Sequence, residues 1–189
     1  MKEIRWHGRG GDGAFTAAKL LGAAASVHEG KFAQSFPAFG PERRGAPVAG
    51  FTRISDEVIT DHSQVYECDC VIVLDETLLD VIDVTAGMKE DATFLINSKM
   101  TADEARKTEN LKNIKNIFTI DATSLALEKL GRPIVNTTML GAAVGAVGLA
   151  GIESVEKAID NMMAGGLGEK NKTVARIAYE IIKGDASRC

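Results

Sequence analysis

Hydrophobic and polar positions along this chain change from an alternating to a helical period, and each change marks a predicted element. Residues 3–8 predict a first strand. Residues 12–28 predict a helix, because their apolar positions recur three and four residues apart. A glycine-rich turn joins the two, which is how a doubly wound domain begins. Residues 32–36 predict the second strand.

Continuous apolar runs predict further strands, each covered on both faces. Residues 70–74 form such a run and are followed by Asp75. Residues 92–97 and 116–120 repeat the signal. These runs alternate with helical segments, which predicts a mostly parallel sheet with helices on both faces.

A hairpin and one more helix are predicted between the second strand and the middle of the chain. Residues 48–54 and 57–60 resemble the two arms of a hairpin, with a Ser-Asp turn at 55–56. Residues 77–85 predict a helix after the first of the apolar runs.

Helices dominate the predicted C-terminal third. Asp121 or Thr123 is expected to cap a helix that ends near Leu130. Gly141 and Gly145 lie one turn apart in an uncharged run, which predicts a buried helix that another backbone approaches closely. Two amphipathic helices are predicted beyond it, at 154–163 and 170–182.

The chain has 189 residues, of which 45% are apolar, and shows no linker or repeat. That length supports one well-filled core. We therefore expect a single domain over 1–189 with an α/β, Rossmann-like fold, a mostly parallel sheet and a small β-hairpin insertion.

Charge and hydropathy exclude some partners. The net charge of −4 and a pI near 5.5 leave no basic stripe, so nucleic acid is not expected. Residues 135–152 carry no charge, but this run is shorter than the roughly 20 apolar residues that a membrane-spanning helix needs. The N-terminus moves directly into a strand, so we expect a cytoplasmic protein without a signal segment.

The residue types needed for redox centres, metals or covalent catalysis are sparse. Cys68, Cys70 and Cys189 are too few for an iron–sulfur cluster, which takes four ligands. Cys68 and Cys70 are expected to be small buried residues in a reducing compartment. The three histidines, His7, His28 and His62, lack metal spacing. We predict no catalytic residue and no metal ligand.

The turn at 8–13 reads Gly-Arg-Gly-Gly-Asp-Gly, which matches the dinucleotide-binding pattern between a strand and a helix. Its glycines permit a phosphate to approach the N-terminus of the helix. The candidate cofactor-binding residues of this turn are Gly8, Gly10, Gly11, Asp12 and Gly13.

Two features argue against a dinucleotide at this turn. Asp12 is expected to cap the helix itself and so to occupy the position favourable to an anion. The second strand ends in Pro37 rather than in an acidic residue that would hold a ribose. The triplet at 11–13 also resembles the start of a thiamine-diphosphate motif, but no Asn lies between Asp12 and Asn97 to complete it. A free-standing NAD(P)-dependent reductase remains the opposing hypothesis.

The loop after the second strand combines rigid turn residues with two adjacent arginines, Arg43 and Arg44. Guanidinium groups on a stiff loop suit a phosphate, such as one of coenzyme A, or a partner's carboxylate. Glu42 is expected to orient one of them. A solvated loop in a purely structural scaffold is the alternative.

Three landmarks, at 4–13, 39–47 and 136–141, resemble those of the gamma subunit of 2-oxoacid:ferredoxin oxidoreductases. The arginine loop, Phe-Gly-Pro-Glu-Arg-Arg-Gly-Ala-Pro, is similar to the pyruvate branch of that family. The landmarks span most of the chain, so the resemblance is not confined to one motif.

The resemblance implies a non-redox subunit of an anaerobe's enzyme. That enzyme reversibly converts pyruvate, coenzyme A and oxidised ferredoxin to acetyl-CoA, carbon dioxide and reduced ferredoxin. Subunits of the alpha, beta and delta types are expected as partners, with ferredoxin reached through the complex. Thiamine diphosphate, magnesium and iron–sulfur clusters are expected in those partners and not in this chain. A gamma subunit acting on indolepyruvate or a branched-chain 2-oxoacid remains open.

Overall fold

A computed structural model describes residues 1–38, 44–163 and 165–186. Its strands form one six-stranded sheet in the order β2-β3-β1-β4-β5-β6. The central and distal strands β1, β4, β5 and β6 are parallel, whereas β3 runs antiparallel to both β1 and β2. The strands are β1 (Lys2–Arg9), β2 (Phe32–Pro37), β3 (Pro47–Ser55), β4 (Cys68–Val73), β5 (Met88–Asn97) and β6 (Asn116–Ile120).

Helices cover the two faces of the sheet unequally. One face carries α1, α3, α4, α5 and α6, and the other carries a short 3₁₀ helix (Glu76–Asp80), α2 and connecting segments. The mostly parallel α/β prediction is confirmed, although long helices lie on one face alone within the described residues. The helices are α1 (Ala14–Glu29), α2 (Ala102–Ala105), α3 (Ala122–Leu130), α4 (Asn136–Val147), α5 (Ile152–Met162) and α6 (Gly166–Ala186).

A buried hydrogen-bond chain fixes α1 against the sheet. The indole Nε1 of Trp6 donates to Oγ1 of Thr52, which donates to the carbonyl oxygen of Ala18 in α1. At Gly50 the sheet has no side chain, and an added Cβ would lie 3.2 Å from Cα of Phe15. The backbone of α1 therefore lies directly on β3, which sets where its N-terminus points.

The hairpin prediction was wrong in its second arm. β3 pairs with β2 and β1, and residues 57–60 form no strand. The segment after β3 folds over the sheet because the buried guanidinium of Arg53 donates to the carbonyl oxygens of Asp61 and Gln64. The hairpin that does occur is β2–β3.

The predicted helix at 77–85 was also wrong, since only the 3₁₀ helix Glu76–Asp80 forms there. Asp83 accepts hydrogen bonds from the backbone N–H and the hydroxyl of Thr85, a turn that competes with helix. Arg5 on β1 donates to the carbonyl oxygen of Val84, so a long-range contact holds the segment as a series of turns rather than a helix.

Helices α4 and α6 run parallel and pack backbone against backbone, as the spacing of Gly141 and Gly145 predicts. A Cβ at Gly141 would overlap the carbonyl oxygen of Ala175, and one at Gly145 would lie 2.8 Å from that of Tyr179. The predicted α3 is confirmed as well, with Asp121 accepting from the backbone N–H of Ser124 as its cap.

Replacing Gly141 by Ala should destabilise the protein by about 3 kcal/mol, because α4 and α6 must separate to admit one methyl group. Denaturant unfolding at neutral pH measures the loss. Gly166→Ala is the matched control, since a Cβ there meets nothing within 4 Å. Equal stabilities of the two variants would contradict the close approach.

His7 lies near the end of β1 on the face opposite α1. It is 6% exposed, and neither ring nitrogen has a hydrogen-bond partner. Burial, and then the nearby Arg5, lower the pKa of His7 from 6.5 to about 4, while Asp83 raises it. The imidazole is therefore neutral in the folded protein and protonated in the unfolded chain between these two pH values.

Because the unfolded chain then binds the extra proton, stability should fall as the pH decreases from 6.5 towards about 4. The loss amounts to up to about 3 kcal/mol, at roughly 1.4 kcal/mol per pKa unit. Unfolding measured across this window should show a weaker pH dependence for His7→Leu. His62→Leu, on the exposed histidine, should keep the wild-type slope. Parallel slopes for all three proteins would refute the assignment.

Candidate functional site

Two helix N-termini meet the glycine turn at the carboxyl edge of the parallel strands. α1 begins after Gly13, whose φ of 81° is left-handed, and α4 begins at Asn136. A Cβ at Gly13 would lie 2.5 Å from Nδ2 of Asn136, so the turn admits no larger residue. α6 begins at the same edge, where Oγ1 of Thr137 donates to Oδ1 of Asn171 at 2.6 Å.

Asp12 does not cap α1, which corrects the sequence prediction. Its carboxylate accepts from the backbone N–H of Arg9 at 2.7 Å, and its own N–H donates to the Arg9 carbonyl at 2.9 Å. The carboxylate therefore accepts a hydrogen bond within the turn instead of capping α1. The left-handed backbone of Gly13 changes the direction of the chain between Asp12 and the helix. Among the described residues, no side chain caps the first turn of α1.

The guanidinium of Arg9 connects three segments at this edge. Its Nε donates to Asp75 at 2.6 Å, and its Nη2 donates to Oγ1 of Thr77 at 2.7 Å. Its Nη1 donates to the carbonyl oxygen of Gly45 at 3.1 Å. The glycine turn, the start of the 3₁₀ helix and the arginine loop are held by one side chain.

Residues 44–46 of the arginine loop lie directly against the glycine turn. The N–H of Gly10 donates to the carbonyl of Ala46 at 2.9 Å, and the N–H of Gly45 donates to the carbonyl of Gly10 at 3.0 Å. These bonds form a bridge between Gly10 and Arg44. The structure therefore brings together Arg44 and the turn at 8–13, while Arg43 and Glu42 lie outside the described residues.

Beside the turn, the crevice at the ends of β4, β5 and β6 is acidic. It measures about 310 Å³, and Asp12, Asp75, Glu76 and Asp121 line it together with Lys99. A doubly wound fold places dinucleotides in this position. Four carboxylates would repel a pyrophosphate here, which argues against the NAD(P) hypothesis.

Asp75 keeps its charge in this crevice. Burial on its own raises the pKa of a carboxyl, but hydrogen bonds from Thr77 and Arg9 outweigh it and lower the pKa of Asp75 below 3.8. The sequence prediction did not include Asp75, Arg9 or Thr77 among the site residues. A carboxylate directly after a buried parallel strand was the available signal, since such ends meet at the functional edge.

The pyruvate ferredoxin/flavodoxin oxidoreductase family model matches residues 3–181. This chain belongs to that family. The family is the one that the three sequence landmarks predicted. Its fold supplies the carboxyl edge at which the glycine turn and the arginine loop meet.

Relatives match over nearly their whole length. Pyruvate synthase subunit PorC of Methanothermobacter marburgensis is 55% identical over 97% of this chain and 98% of its own. The pyruvate/ketoisovalerate oxidoreductases common subunit gamma of Pyrococcus abyssi is 53% identical over 95% of this chain and 96% of its own length. The crystal structure of pyruvate oxidoreductase subunit PORC from Thermotoga maritima is 38% identical, covers 95% of each chain and superposes with a TM-score of 0.80.

Neither a metal cluster nor a membrane-spanning helix is found in the part of the chain that the structure describes. Among residues 1–38, 44–163 and 165–186, no group of three or more His, Cys, Asp or Glu side chains is arranged to hold a metal ion. No helix in the same ranges is long and apolar enough to cross a membrane. Cys68 and Cys70 are buried free thiols, and burial raises the pKa of both.

Arg9→Met should cost about 1–3 kcal/mol of stability near neutral pH, because it removes the charged donor of Asp75 and the donor of the Gly45 carbonyl. Denaturant unfolding measures this loss. The deficit should shrink as the pH falls below 3.8, because the ionised Asp75 then disappears from both proteins.

Arg176→Met is the control for Arg9→Met, because Arg176 pairs with Glu156 and Glu153 on a solvated helix surface. Exposed pairs are worth up to about 1 kcal/mol. If the two variants lose the same small amount, Arg9 does not hold the edge together.

Proposed function

We propose that this chain is the gamma subunit of a pyruvate:ferredoxin oxidoreductase, the enzyme that converts pyruvate, coenzyme A and oxidised ferredoxin to acetyl-CoA, carbon dioxide and reduced ferredoxin, or runs in reverse. The observation that carries the proposal is 55% identity to a pyruvate synthase subunit over nearly the full length of both chains. Its matched landmarks are the same segments that form the carboxyl edge.

The role of the subunit is assembly rather than redox chemistry. The carboxylates of the crevice do not suit a magnesium–diphosphate centre, because their oxygens already accept hydrogen bonds. Asp12 accepts from Arg9, Asp75 from Arg9 and Thr77, and Glu76 from Ser98. Thiamine diphosphate, magnesium and iron–sulfur clusters belong to partners of the alpha, beta and delta types, and ferredoxin meets the complex through them.

The gamma subunit does not choose the 2-oxoacid in this proposal. A relative 53% identical to this chain is named as the common subunit of pyruvate and ketoisovalerate oxidoreductases. A surface shared by two enzymes cannot distinguish their substrates by itself. An enzyme for a branched-chain 2-oxoacid is therefore the second candidate for the complex, and the catalytic partners decide between the two.

Arg44 carries the proposed contact with coenzyme A or with a catalytic partner. It is exposed, and it has no hydrogen bond or ion pair with another described residue. The bridge to Gly10 nevertheless fixes its backbone beside the uncapped N-terminus of α1. A free guanidinium beside uncapped N–H groups suits a phosphate or a carboxylate. Arg43 shares this proposed role as its neighbour in sequence.

A tagged copy expressed in its native host should purify with two or three further subunits and with pyruvate-dependent ferredoxin reduction. Within that complex, Arg44→Gln should raise the KM for coenzyme A about tenfold if the guanidinium holds a phosphate, a difference of about 1.4 kcal/mol. Steady-state kinetics with a panel of 2-oxoacids also identifies the substrate.

Arg106→Gln serves as the control, since Arg106 directly follows α2 and pairs with Asp103 away from this edge. Dissociation of the Arg44→Gln complex supports the partner contact instead of the phosphate. Unchanged kinetics and assembly remove both roles. A lone subunit that reduces an acceptor with pyruvate or binds NADH at micromolar affinity overturns the gamma-subunit proposal.

A further inference from the structure

An open groove lies between the α3–α4 connection and the first turns of α4 and α6. Its volume is about 570 Å³. Leu130, Ile134, Met163 and Leu167 give it an apolar lining, and Arg132 and Lys170 are its cationic side chains. It borders the acidic crevice at the start of α4 but differs from it in lining and in charge.

The apolar side of the groove is exposed to solvent. Leu167 is 60% exposed and Ile134 is 42% exposed, although both are large aliphatic side chains. Neighbouring apolar side chains on a groove rim are typical of a surface that another molecule covers. A small ligand inside the groove would leave these rim side chains in water, whereas a protein segment lying across it would bury them.

The cations of the groove have no partner among the described residues. Arg132 and Lys170 form no ion pair or hydrogen bond with any residue in the described part of the chain. Other cations on α6 are paired, since Lys172 pairs with Asp160 and Glu169. Arg176 pairs with Glu156. The protein carries a net charge of −4, so two unpaired cations in one groove are a local departure from the surface as a whole.

Backbone and amide donors add to the positive character. Asn136 is 6% exposed and lines the groove, and its Oδ1 accepts from the N–H of Thr137. Its Nδ2 has no acceptor among the described residues, and Val135, the residue before α4, has no side chain that could cap the helix. α6 begins at Gly166 on the opposite wall. Helix N-termini and an amide N–H favour a carboxylate, which both cations would also bind.

We propose that this groove docks a segment of another subunit of the enzyme. The segment places an apolar side chain on Ile134 and Leu167 and a carboxylate between Arg132 and Lys170. Charge complementarity selects this occupant, since the groove offers donors and cations beside an apolar wall. The inference rests on the proposed function, because it requires the chain to act within a hetero-oligomer.

Carbodiimide treatment of the purified complex tests the contact directly, because it joins Lys170 to a carboxylate with which it is paired. Mass spectrometry should identify a peptide of another subunit that carries Asp or Glu close to an apolar residue. Lys157 is an exposed lysine on α5 that lines no part of the groove and should give no such product.

Charge reversal provides the second measurement. The Arg132→Glu, Lys170→Glu double variant should retain the partner subunits at least tenfold less well in a tagged purification, and Lys170→Gln should have an intermediate effect. Lys157→Glu and Val27→Asp should behave as wild type, since Val27 is 69% exposed on α1 away from the groove. Thermal unfolding of each isolated variant confirms that it is folded.

Normal assembly of the folded double variant, together with no cross-link from Lys170, overturns the docking inference and leaves the gamma-subunit proposal intact. Protection of Lys170 from acetylation by inorganic phosphate in the assembled complex also overturns it, since the occupant is then a small anion. If the wild-type chain purifies without partners, the proposed function itself fails.

Discussion

One guanidinium, that of Arg9, determines the arrangement of the carboxyl edge. It donates to a carboxylate after β4, to a hydroxyl of the 3₁₀ helix and to a carbonyl of the arginine loop. These partners lie 36 to 68 residues away along the chain. Without this donor Asp75 would keep only its hydrogen bonds from Thr77, and the three segments would lose their common anchor. The sheet supplies rigid strand ends, but the relative positions of the loops depend on this side chain.

The edge that Arg9 organises is divided electrostatically. The crevice beyond β4 to β6 is lined by carboxylates, while the groove beside α4 and α6 carries unpaired cations. Two neighbouring surfaces of opposite sign restrict the orientations in which a charged partner can approach. The carboxylates of the crevice disfavour a pyrophosphate in the position that a doubly wound fold normally gives it.

Sequence patterns correctly predicted the elements that are determined by residues close together in the sequence. The strand β6 and the helix α3 match their predicted ranges, because an uninterrupted apolar run and an Asp cap depend on neighbours in sequence. The second hairpin arm failed because Arg53 holds the following segment over the sheet through contacts that no pattern records. The cap at Asp12 failed for a related reason, since the left-handed Gly13 redirects the chain.

The sequence motifs selected candidate residues for phosphate binding, but they did not reveal the pairing on which the geometry of the edge depends. The glycine turn and Arg44 were identified from the sequence, yet their joining bridge involves bonds between residues more than 30 positions apart. Arg9 occupies a variable place in the dinucleotide pattern, so the motif gave no reason to select it. The proposed role of this chain depends on the shape and charge of the surface at this edge. Such a surface depends on contacts between residues far apart in the sequence. The glycine motif at 8–13 therefore indicates where the edge lies but not which interactions stabilise it.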